Sequence, residues 1–378
     1  MTTKLDYESA AWGHVYPDQS IGVRERPLVI LAPRSHMGGI YGPLIAAKCL
    51  NVVAVVDDYS QDATVYGIPR WRSAEFSQRA PSIPDLLVMD VSGSPYSNAI
   101  FSKLIEDAGV DRAEFVAVLA ELDLPAVYQT PRVMRERTIA RQSDWQSLRK
   151  RLADDRSRET LDAVLLLRLT YDRRHLRTST TSAEDEYFSV NASDATFRLT
   201  ANETICDAGA YIGDVIRKVI AATQGQFREV HAFEPDSTSF AKLESIHSCG
   251  FSGIKLHQAA VGDYTGTIQY LHTGTMGSHV DHAAGGAGTT GDTAITRIDD
   301  AMESATFIKM DLEGFETRAL AGASRIIKSN RPRLAVTGYH YANDLLEIVK
   351  LLDDLAPGYR LRLRHHSNYY YDSIIYAD

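Results

Sequence analysis

The sequence predicts an α/β protein with two domains, each built on a mainly parallel β-sheet. Short β-rich runs alternate with helical stretches from residue 26 onward, and helices placed in this way connect parallel strands. The alternation stops between residues 131 and 184 and then resumes. A chain of 378 residues has room for two or three domains.

The predicted organisation has four parts. In chain order they are a polar arm at 1–25, a small doubly wound α/β domain at 26–130, a helical connector at 131–184 and a second α/β domain at 185–378. In the first domain, strands are predicted at 28–32, 52–56, 85–89 and 115–119, with a glycine-rich turn at 37–42 before a helix at 43–50. Apolar residues at helical spacing over 143–170 predict the helices of the connector.

The second domain shows the longer alternation. Its predicted strands are 204–206, 229–233, 255–261, 306–310, 333–337, 359–364 and 372–376. Its predicted helices are 214–223, 237–247, 316–328 and 342–355. Only a short loop separates the last two strands, which predicts a hairpin and hence an antiparallel last strand. The Gly/Thr/Ala-rich stretch 274–292 is predicted to be a loop, in which Ser278, His279 and His282 are candidate substrate contacts.

Composition limits the classes of function. The net charge of −9 disfavours broad binding to nucleic acid. Three well-separated cysteines indicate neither a disulfide framework nor a thiolate zinc site, which favours a reducing cytoplasmic location. The N-terminus lacks the apolar core of a signal peptide, and the apolar runs are far shorter than the roughly 20 residues of a membrane helix. We therefore expect a cytoplasmic protein without membrane contact.

Two motifs at strand ends predict a nucleoside site. A glycine-containing turn at 207–214 follows the strand 204–206 and opens a helix, so its backbone can approach a ligand closely. Its first residue, Asp207, would repel a pyrophosphate but could accept hydrogen bonds from an ammonium group or hydroxyls. Glu234 follows the next strand, where a carboxylate commonly holds ribose hydroxyls. S-adenosylmethionine (SAM), a phosphate-free nucleoside with a zwitterionic end, fits this pair.

Residues 185–378 resemble the FkbM-type methyltransferases, a branch of the class I SAM-dependent family. The resemblance rests on motifs in the family's order, at 186–188, 207–213, 233–235, 259–263, 296–300 and 308–316. It implies a Rossmann-like, seven-stranded sheet with an antiparallel last strand. It also implies methyl transfer to a hydroxyl oxygen, commonly of a sugar, a glycan or a secondary metabolite.

The resemblance also implies roles for single residues. Asp207, Gly209 and Gly213 would line the methionine end of SAM, Glu234 would hold the ribose, and Ala260 and Val261 would flank the adenine. The remaining candidates for the cofactor site are Tyr187, Ala210, Tyr211 and Pro235.

Acids and imidazoles converge on one edge of the predicted sheet. Asp311 stands at the carboxyl end of a strand, Glu313 follows two residues later, and His340 follows the next strand. Because a hydroxyl is a poor nucleophile, these three residues could form a general-base cluster. Alternatively, Asp311 and His340 could hold a divalent cation such as Mg²⁺. The sequence leaves both mechanisms open. His365 and His366, and Glu316 at a helix start, are better explained by structural roles.

The N-terminal domain suggests a second class of function. Its glycines at 38, 39 and 42 fall short of the dinucleotide fingerprint, because Met37 occupies the first glycine position. Asp57 or Asp58 ends the next strand, as a ribose-binding acid would. The alternatives are therefore an oxidoreductase that binds NAD or a nucleotide sugar, or a non-catalytic SAM-binding module. The expected partner is a small-molecule or glycan substrate, and a homo-oligomer is compatible with the sequence.

Overall fold

The computed structural model describes residues 5–7, 11–49, 51–92, 95–190, 197–273, 279–280 and 289–378. The chain divides into two compact units. The first comprises Met1–Ser143, Glu159–Thr180 and Ser367–Tyr371, and the second comprises Asp144–Arg158, Thr181–His366 and Asp372–Asp378. Residues 131–184, expected to connect two domains, thus contribute to both units.

The first unit contains a six-stranded sheet in the order β3-β4-β2-β1-β5-β6. Its strands are β1 (Leu28–Leu31), β2 (Val52–Val56), β3 (Thr64–Val65), β4 (Ile68–Trp71), β5 (Leu87–Asp90) and β6 (Asp111–Ala113). Its helices are α1 (Trp12–Val15), α2 (His36–Lys48), α3 (Ser73–Arg79), α4 (Pro95–Ala108), α5 (Phe115–Glu121) and α6 (Pro131–Ala140). All neighbouring strands pair in parallel except β3 and β4. This agrees with the predicted doubly wound architecture.

Two predictions for this unit are wrong. The run at 115–119, predicted as a strand, lies in helix α5, and the strand that pairs with β5 is Asp111–Ala113. A short run buried on all sides carries no periodicity to separate a strand from a helix. The glycine-rich stretch at 37–42 is not a turn but the first half of α2, where Ser35 Oγ accepts a hydrogen bond from the Gly38 amide at 2.9 Å and caps the helix.

The helices predicted over 143–170 are confirmed. They are α7 (Gln142–Arg151) and α8 (Asp155–Thr170). The side chains of Trp145, Leu148, Leu161 and Leu165 are buried, as their spacing predicts.

The second unit contains the larger sheet. Its strands are β7 (Thr204–Ala208), β8 (Glu229–Phe233), β9 (Ile254–His257), β10 (Ala260–Val261), β11 (Gly266–His272), β12 (His279–Val280), β13 (Thr289–Thr296), β14 (Phe307–Met310), β15 (Arg333–Thr337), β16 (Leu361–His365) and β17 (Ser373–Ala377). Its helices are α9 (Asp214–Thr223), α10 (Ser237–Leu243), α11 (Ile298–Ala301), α12 (Glu316–Gly322), α13 (Ser324–Asn330) and α14 (Asp344–Leu355).

Seven of these strands form one sheet in the order β16-β17-β15-β14-β7-β8-β9. The last strand, β17, runs antiparallel to both of its neighbours, and every other pair is parallel. The predicted seven-stranded fold with an antiparallel last strand is therefore confirmed. Strands β7 and β14 are buried along their whole length, as expected for central parallel strands. Their carboxyl ends lie side by side and open the site described below.

A second, four-stranded sheet in the order β10-β13-β11-β12 was not predicted. Strand β11 pairs antiparallel with β13 over seven residue pairs, so part of the stretch 274–292 is strand rather than loop. The candidate substrate contact His279 begins β12. Ser278 and His282 lie outside the described residues.

None of the helices in the described part of the chain combines the length and the apolarity that a bilayer-spanning segment needs.

Candidate active site

The turn after β7 is fastened to the end of β8. The amides of Gly209 and Ala210 both donate hydrogen bonds to the Phe233 carbonyl, at 3.0 and 2.9 Å. The next amide, that of Tyr211, donates to Glu234 Oε2 at 2.8 Å. Three consecutive amides therefore tie the glycine turn to the end of the strand that precedes Glu234.

Two glycines of this turn adopt left-handed backbone conformations. Gly209 has φ +85°, and a Cβ atom there would overlap the carbonyl oxygen of Asp311. Gly213 has φ +89° and precedes α9, and its Cβ would press on Leu243 and Ile246. A side chain at either position would meet both an unfavourable dihedral angle and a steric clash. The turns after β7 and β14 thus touch through the backbone at Gly209.

The substitution Gly209→Ala is expected to destabilise the protein at least twice as much as Gly250→Ala. Gly250 also has a positive φ, of +76°, but a Cβ atom added there would have no other atom within 4 Å. Gly250→Ala therefore isolates the cost of the left-handed backbone, about 1–2 kcal/mol. Urea unfolding monitored by circular dichroism compares the two free energies. Equal losses of unfolding free energy in the two variants would show that the backbone at Asp311 moves away from the added methyl group at little cost.

Glu234 is almost completely buried at the end of β8, with 6% of its surface exposed. Besides the Tyr211 amide, it accepts a hydrogen bond from the Asp236 amide at 2.8 Å through Oε1. Burial raises the pKa of Glu234 to about 7, although the two amides favour the carboxylate. Each carboxylate oxygen can accept a second hydrogen bond, so capacity remains for two hydroxyls. Pro235, which is also buried, lies between Glu234 and Asp236 in the sequence.

Ala260 and Val261, the predicted adenine contacts, form the short strand β10. This strand pairs in parallel with Ile295 and Thr296 of β13. Ala260 belongs to a small apolar cluster with Tyr270, Ile295 and Phe315. Both residues are buried, and their contact with adenine remains a prediction.

Asp207 forms an ion pair with a residue that the sequence analysis did not single out. Lys309 Nζ, on the neighbouring strand β14, lies 3.3 Å from Asp207 Oδ1, and both side chains are buried. Burial raises the pKa of Asp207. No described residue donates a hydrogen bond to its second oxygen, Oδ2. Asp207 therefore retains capacity to accept a hydrogen bond from a ligand, as the binding of an ammonium group requires.

Asp311 stands at the carboxyl end of β14 and accepts hydrogen bonds from three hydroxyl groups. Tyr187 donates to Oδ2 at 2.8 Å, while Thr337 and Tyr339 donate to Oδ1 at 3.2 and 3.3 Å. The Asp311 side chain is nevertheless 23% exposed, which leaves one edge open to a ligand. Tyr187 was predicted to contact the cofactor, and the structure brings it to Asp311.

His340 is completely buried among carboxylates. Its Nδ1 lies 3.3 Å from Glu316 Oε1, and its Nε2 lies 3.4 Å from Glu313 Oε2 and 3.8 Å from Asp311 Oδ1. Burial disfavours the charged ring, but the three carboxylates together raise the pKa of His340 to about 10. At neutral pH, His340 is therefore an imidazolium that neutralises part of this acidic cluster.

Glu316 performs the structural role expected of a first-turn acid. Its Oε1 accepts hydrogen bonds from the amides of Leu312 and Gly314, at 2.7 and 3.4 Å. It also lies 3.1 Å from the Thr337 hydroxyl, whose single proton is shared between this oxygen and Asp311 Oδ1. Burial raises the pKa of Glu316 to about 7. The turn between β14 and α12 is thus closed around this side chain, which also faces His340.

The predicted catalytic residues Asp311, Glu313 and His340 do meet in space. One ligand atom from each lies within 4.8 Å of the others. Among the described residues, this is the only group of three or more His, Cys, Asp or Glu side chains with such spacing. His366 lies elsewhere: its Nδ1 contacts the Ser182 carbonyl at 2.8 Å and its Nε2 the Tyr376 hydroxyl at 3.0 Å, which explains it as a structural residue.

Several non-glycine residues around the site have left-handed backbone conformations. Tyr187, Tyr211 and Glu313 have φ values of +62°, +49° and +56°. Such angles cost free energy for residues with a Cβ and persist only where the surroundings fix them. For Tyr187, the fixing contacts include the hydrogen bond from its amide to the Tyr376 hydroxyl, at 2.9 Å.

In the first unit, the residues that resembled a nucleotide site have other contacts. A Cβ on Gly38 would overlap the carbonyl of Ala32, so this glycine allows the helix to pack closely on the preceding loop. Asp57 already accepts hydrogen bonds from the amides of Tyr59 and Ser60 and from the Arg34 guanidinium, at 2.9, 3.2 and 2.7 Å. These contacts explain both residues without a nucleotide.

Comparison with known proteins finds a family match within the second unit. Residues 207–361 match the family model of the methyltransferase FkbM domain. The crystal structure of methyltransferase FkbM from Methylobacillus flagellatus KT is similar over 95% of this chain and 92% of that chain, with 26% sequence identity and a TM-score of 0.75. No curated protein sequence matches the chain.

Two other solved structures are less similar to this chain. The precorrin-6y C5,15-methyltransferase from Geobacter metallireducens GS-15 is 14% identical, with a TM-score of 0.31, and the match covers 48% of this chain and 83% of that chain. A SAM-dependent methyltransferase from Aquifex aeolicus is 11% identical, with a TM-score of 0.30, over 55% of this chain and 97% of that chain.

Residues 207–361, which hold most of the seven-stranded sheet, thus have the sequence pattern and the fold of the methyltransferase FkbM domain. The resemblance that the sequence motifs predict is confirmed over these residues.

Proposed function

We propose that the protein is a SAM-dependent O-methyltransferase that acts on a hydroxyl group of a sugar, a glycan or a secondary metabolite. The observation that carries the proposal is the pair of buried carboxylates, Asp207 and Glu234, at the ends of adjacent strands, joined by a glycine turn. The buried free thiols of Cys49 and Cys206 agree with a cytoplasmic location.

The residues present fit SAM. Asp207 Oδ2 has hydrogen-bonding capacity for an ammonium group, and Glu234 has capacity for two ribose hydroxyls. When bound, SAM would supply an electrophilic methyl group on a positively charged sulfur. The buried carboxylates are of the right charge to bind such a cation.

Asp311 is the proposed general base. Its carboxylate is held by the hydroxyls of Tyr187, Thr337 and Tyr339, and its exposed edge can accept the proton of an acceptor hydroxyl. With SAM and an acceptor bound, Asp311 would accept the hydroxyl proton while the acceptor oxygen takes the methyl group. His340 and Glu313 stand beside Asp311, and the imidazolium stabilises the carboxylates before the transfer.

The same cluster fits Mg²⁺ less well. Asp311 and Glu313 offer the oxygen ligands that Mg²⁺ prefers, but the third atom is an imidazole nitrogen. The raised pKa of His340 also means that the ring must release a proton before it can bind a metal. We therefore propose the acid–base role for these residues.

Calorimetry on the purified protein tests the cofactor. SAM is expected to bind and NAD⁺ is not, and the opposite result would favour the oxidoreductase alternative. Transfer of a labelled methyl group to a panel of sugars, glycans and hydroxylated metabolites, with and without a chelator, then tests the reaction. SAM binding without methyl transfer to any acceptor would favour a non-catalytic module. Loss of methyl transfer when the chelator is added would favour a mechanism that depends on a metal ion.

SAM affinity is expected to fall as the pH is lowered from 8 to 6. The pKa of Glu234 is raised to about 7, so its carboxylate is protonated across this range and loses acceptor capacity for the ribose. One protonation lowers the affinity by at most tenfold per pH unit. Calorimetry at three pH values measures the slope. The variant Glu234→Gln corrects for the titration of SAM itself, and an unchanged slope in this variant would exclude Glu234 as the cause.

A further inference from the structure

Lys309 is a buried cation in the middle of the sheet. It occupies the third position of β14, between apolar residues, and only 3% of its side chain is exposed. Burial opposes its charge, but the carboxylates of Asp207 and Asp311 raise its pKa, so the ammonium group persists. A charged side chain in such a place is rare unless it is paired.

The three donors of the ammonium group face three oxygens of one turn. Lys309 Nζ lies 2.6 Å from the Gly209 carbonyl oxygen, 3.3 Å from the Ala208 carbonyl oxygen and 3.3 Å from Asp207 Oδ1. Because the Gly209 amide is held by Phe233, the peptides on both sides of Gly209 are fixed. Lys309 therefore determines how the turn from Asp207 to Gly209 is oriented.

The same ammonium group also contacts the tyrosine that orients the proposed base. It lies 5.2 Å from the centre of the Tyr187 ring, whose hydroxyl donates to Asp311. This is within the range of a cation–π interaction. One buried charge thus contacts the turn that would bind the cofactor and the tyrosine that orients Asp311.

Stability alone does not explain this arrangement. A buried ion pair can often be replaced by apolar residues of similar volume without loss of stability. The ammonium group of Lys309 already faces three oxygens of the turn, so it has no donor left for a ligand. We infer that Lys309 is a positioning residue, which holds the Asp207–Gly209 turn in the geometry that binds SAM. The inference rests on the proposed function.

The test compares Lys309→Met with Arg333→Met. Arg333, at the start of β15, pairs with buried Glu203 at 2.6 Å, so its substitution removes an ion pair at the opposite end of the same sheet. Lys309→Met is expected to raise the Kd values of SAM and S-adenosylhomocysteine by about 10- to 100-fold, because the turn is misplaced. Arg333→Met is expected to lower thermal stability without changing either Kd.

A Kd for Lys309→Met within threefold of the wild-type value would overturn the inference, since Lys309 would then be only structural. If that variant does not fold, Lys309→Gln replaces it, because glutamine keeps a donor for the carbonyl oxygens and removes the charge. It is expected to raise both Kd values by a smaller factor, and unchanged values would again contradict the inference. Failure of the wild-type protein to bind SAM would instead refute the proposed function.

Discussion

The substitution Asp311→Asn is expected to lower kcat about 10²- to 10⁴-fold, the usual contribution of a positioned general base. The amide oxygen can still accept hydrogen bonds from the surrounding hydroxyls of Tyr187, Thr337 and Tyr339, but the amide cannot take the proton of the acceptor. SAM affinity is expected to stay within threefold of the wild-type value. The measurement is labelled-methyl transfer to an acceptor found in the panel, together with calorimetry on the same variant.

Asp263→Asn is the matched control for this experiment. Asp263 lies outside the cluster and forms a half-exposed ion pair with Arg318, so its loss should leave kcat unchanged. A kcat for Asp311→Asn within threefold of wild type would exclude Asp311 as the base. A loss of SAM binding in the same variant would instead indicate that the Asp311 side chain supports the cofactor site.

The substitution Glu234→Gln is expected to weaken SAM binding about 100-fold. Hydrogen bonds to a charged group contribute about 1.5–3 kcal/mol each, and glutamine replaces one of the two acceptor oxygens by a donor. That donor also faces one of the amides, from Tyr211 or Asp236, that now donate to Glu234. Calorimetry with SAM at pH 8, where the wild-type residue is mainly a carboxylate, gives the largest difference.

Glu229→Gln provides the comparison on the same strand. Glu229 is the first residue of β8, at the opposite end from Glu234, and it interacts with Lys255 and His231 at 3.0 and 3.2 Å. Its substitution is expected to leave SAM affinity unchanged. Equal weakening by the two variants would mean that Glu234 acts only through the stability of the sheet.

Much of the fold could be predicted because buried parallel strands are short apolar runs with polar ends. The bounds of β2, β8 and β15 were predicted to the residue. The strands β11 and β13 were missed because most of their residues are half-buried or exposed and many are Gly or Thr, so they show no apolar run. Periodicity detects a buried face, and these strands bury little.

The site was predictable where a residue's role follows from its place at a strand end. Asp311, Glu313 and His340 were expected to meet for this reason, and they do. The contact between Tyr187 and Asp311 joins residues 124 positions apart, and no spacing rule connects them. The sequence did contain a signal for the ion pair of Lys309, because a lysine among the apolar residues of a central strand needs a buried partner.

The left-handed backbone at Tyr187, Tyr211 and Glu313 has a consequence for protein engineering. Tyr211 and Glu313 are only partly buried, so replacing either by glycine would relieve an unfavourable dihedral angle, and selection for heat resistance alone would reward such changes. Tyr187 is packed in the core, and its loss would cost more than the angle. Each exchange would also delete a side chain next to the proposed cofactor or base residues. A thermostable descendant obtained in this way is expected to trade turnover for robustness, so directed evolution of this scaffold should hold the three positions fixed.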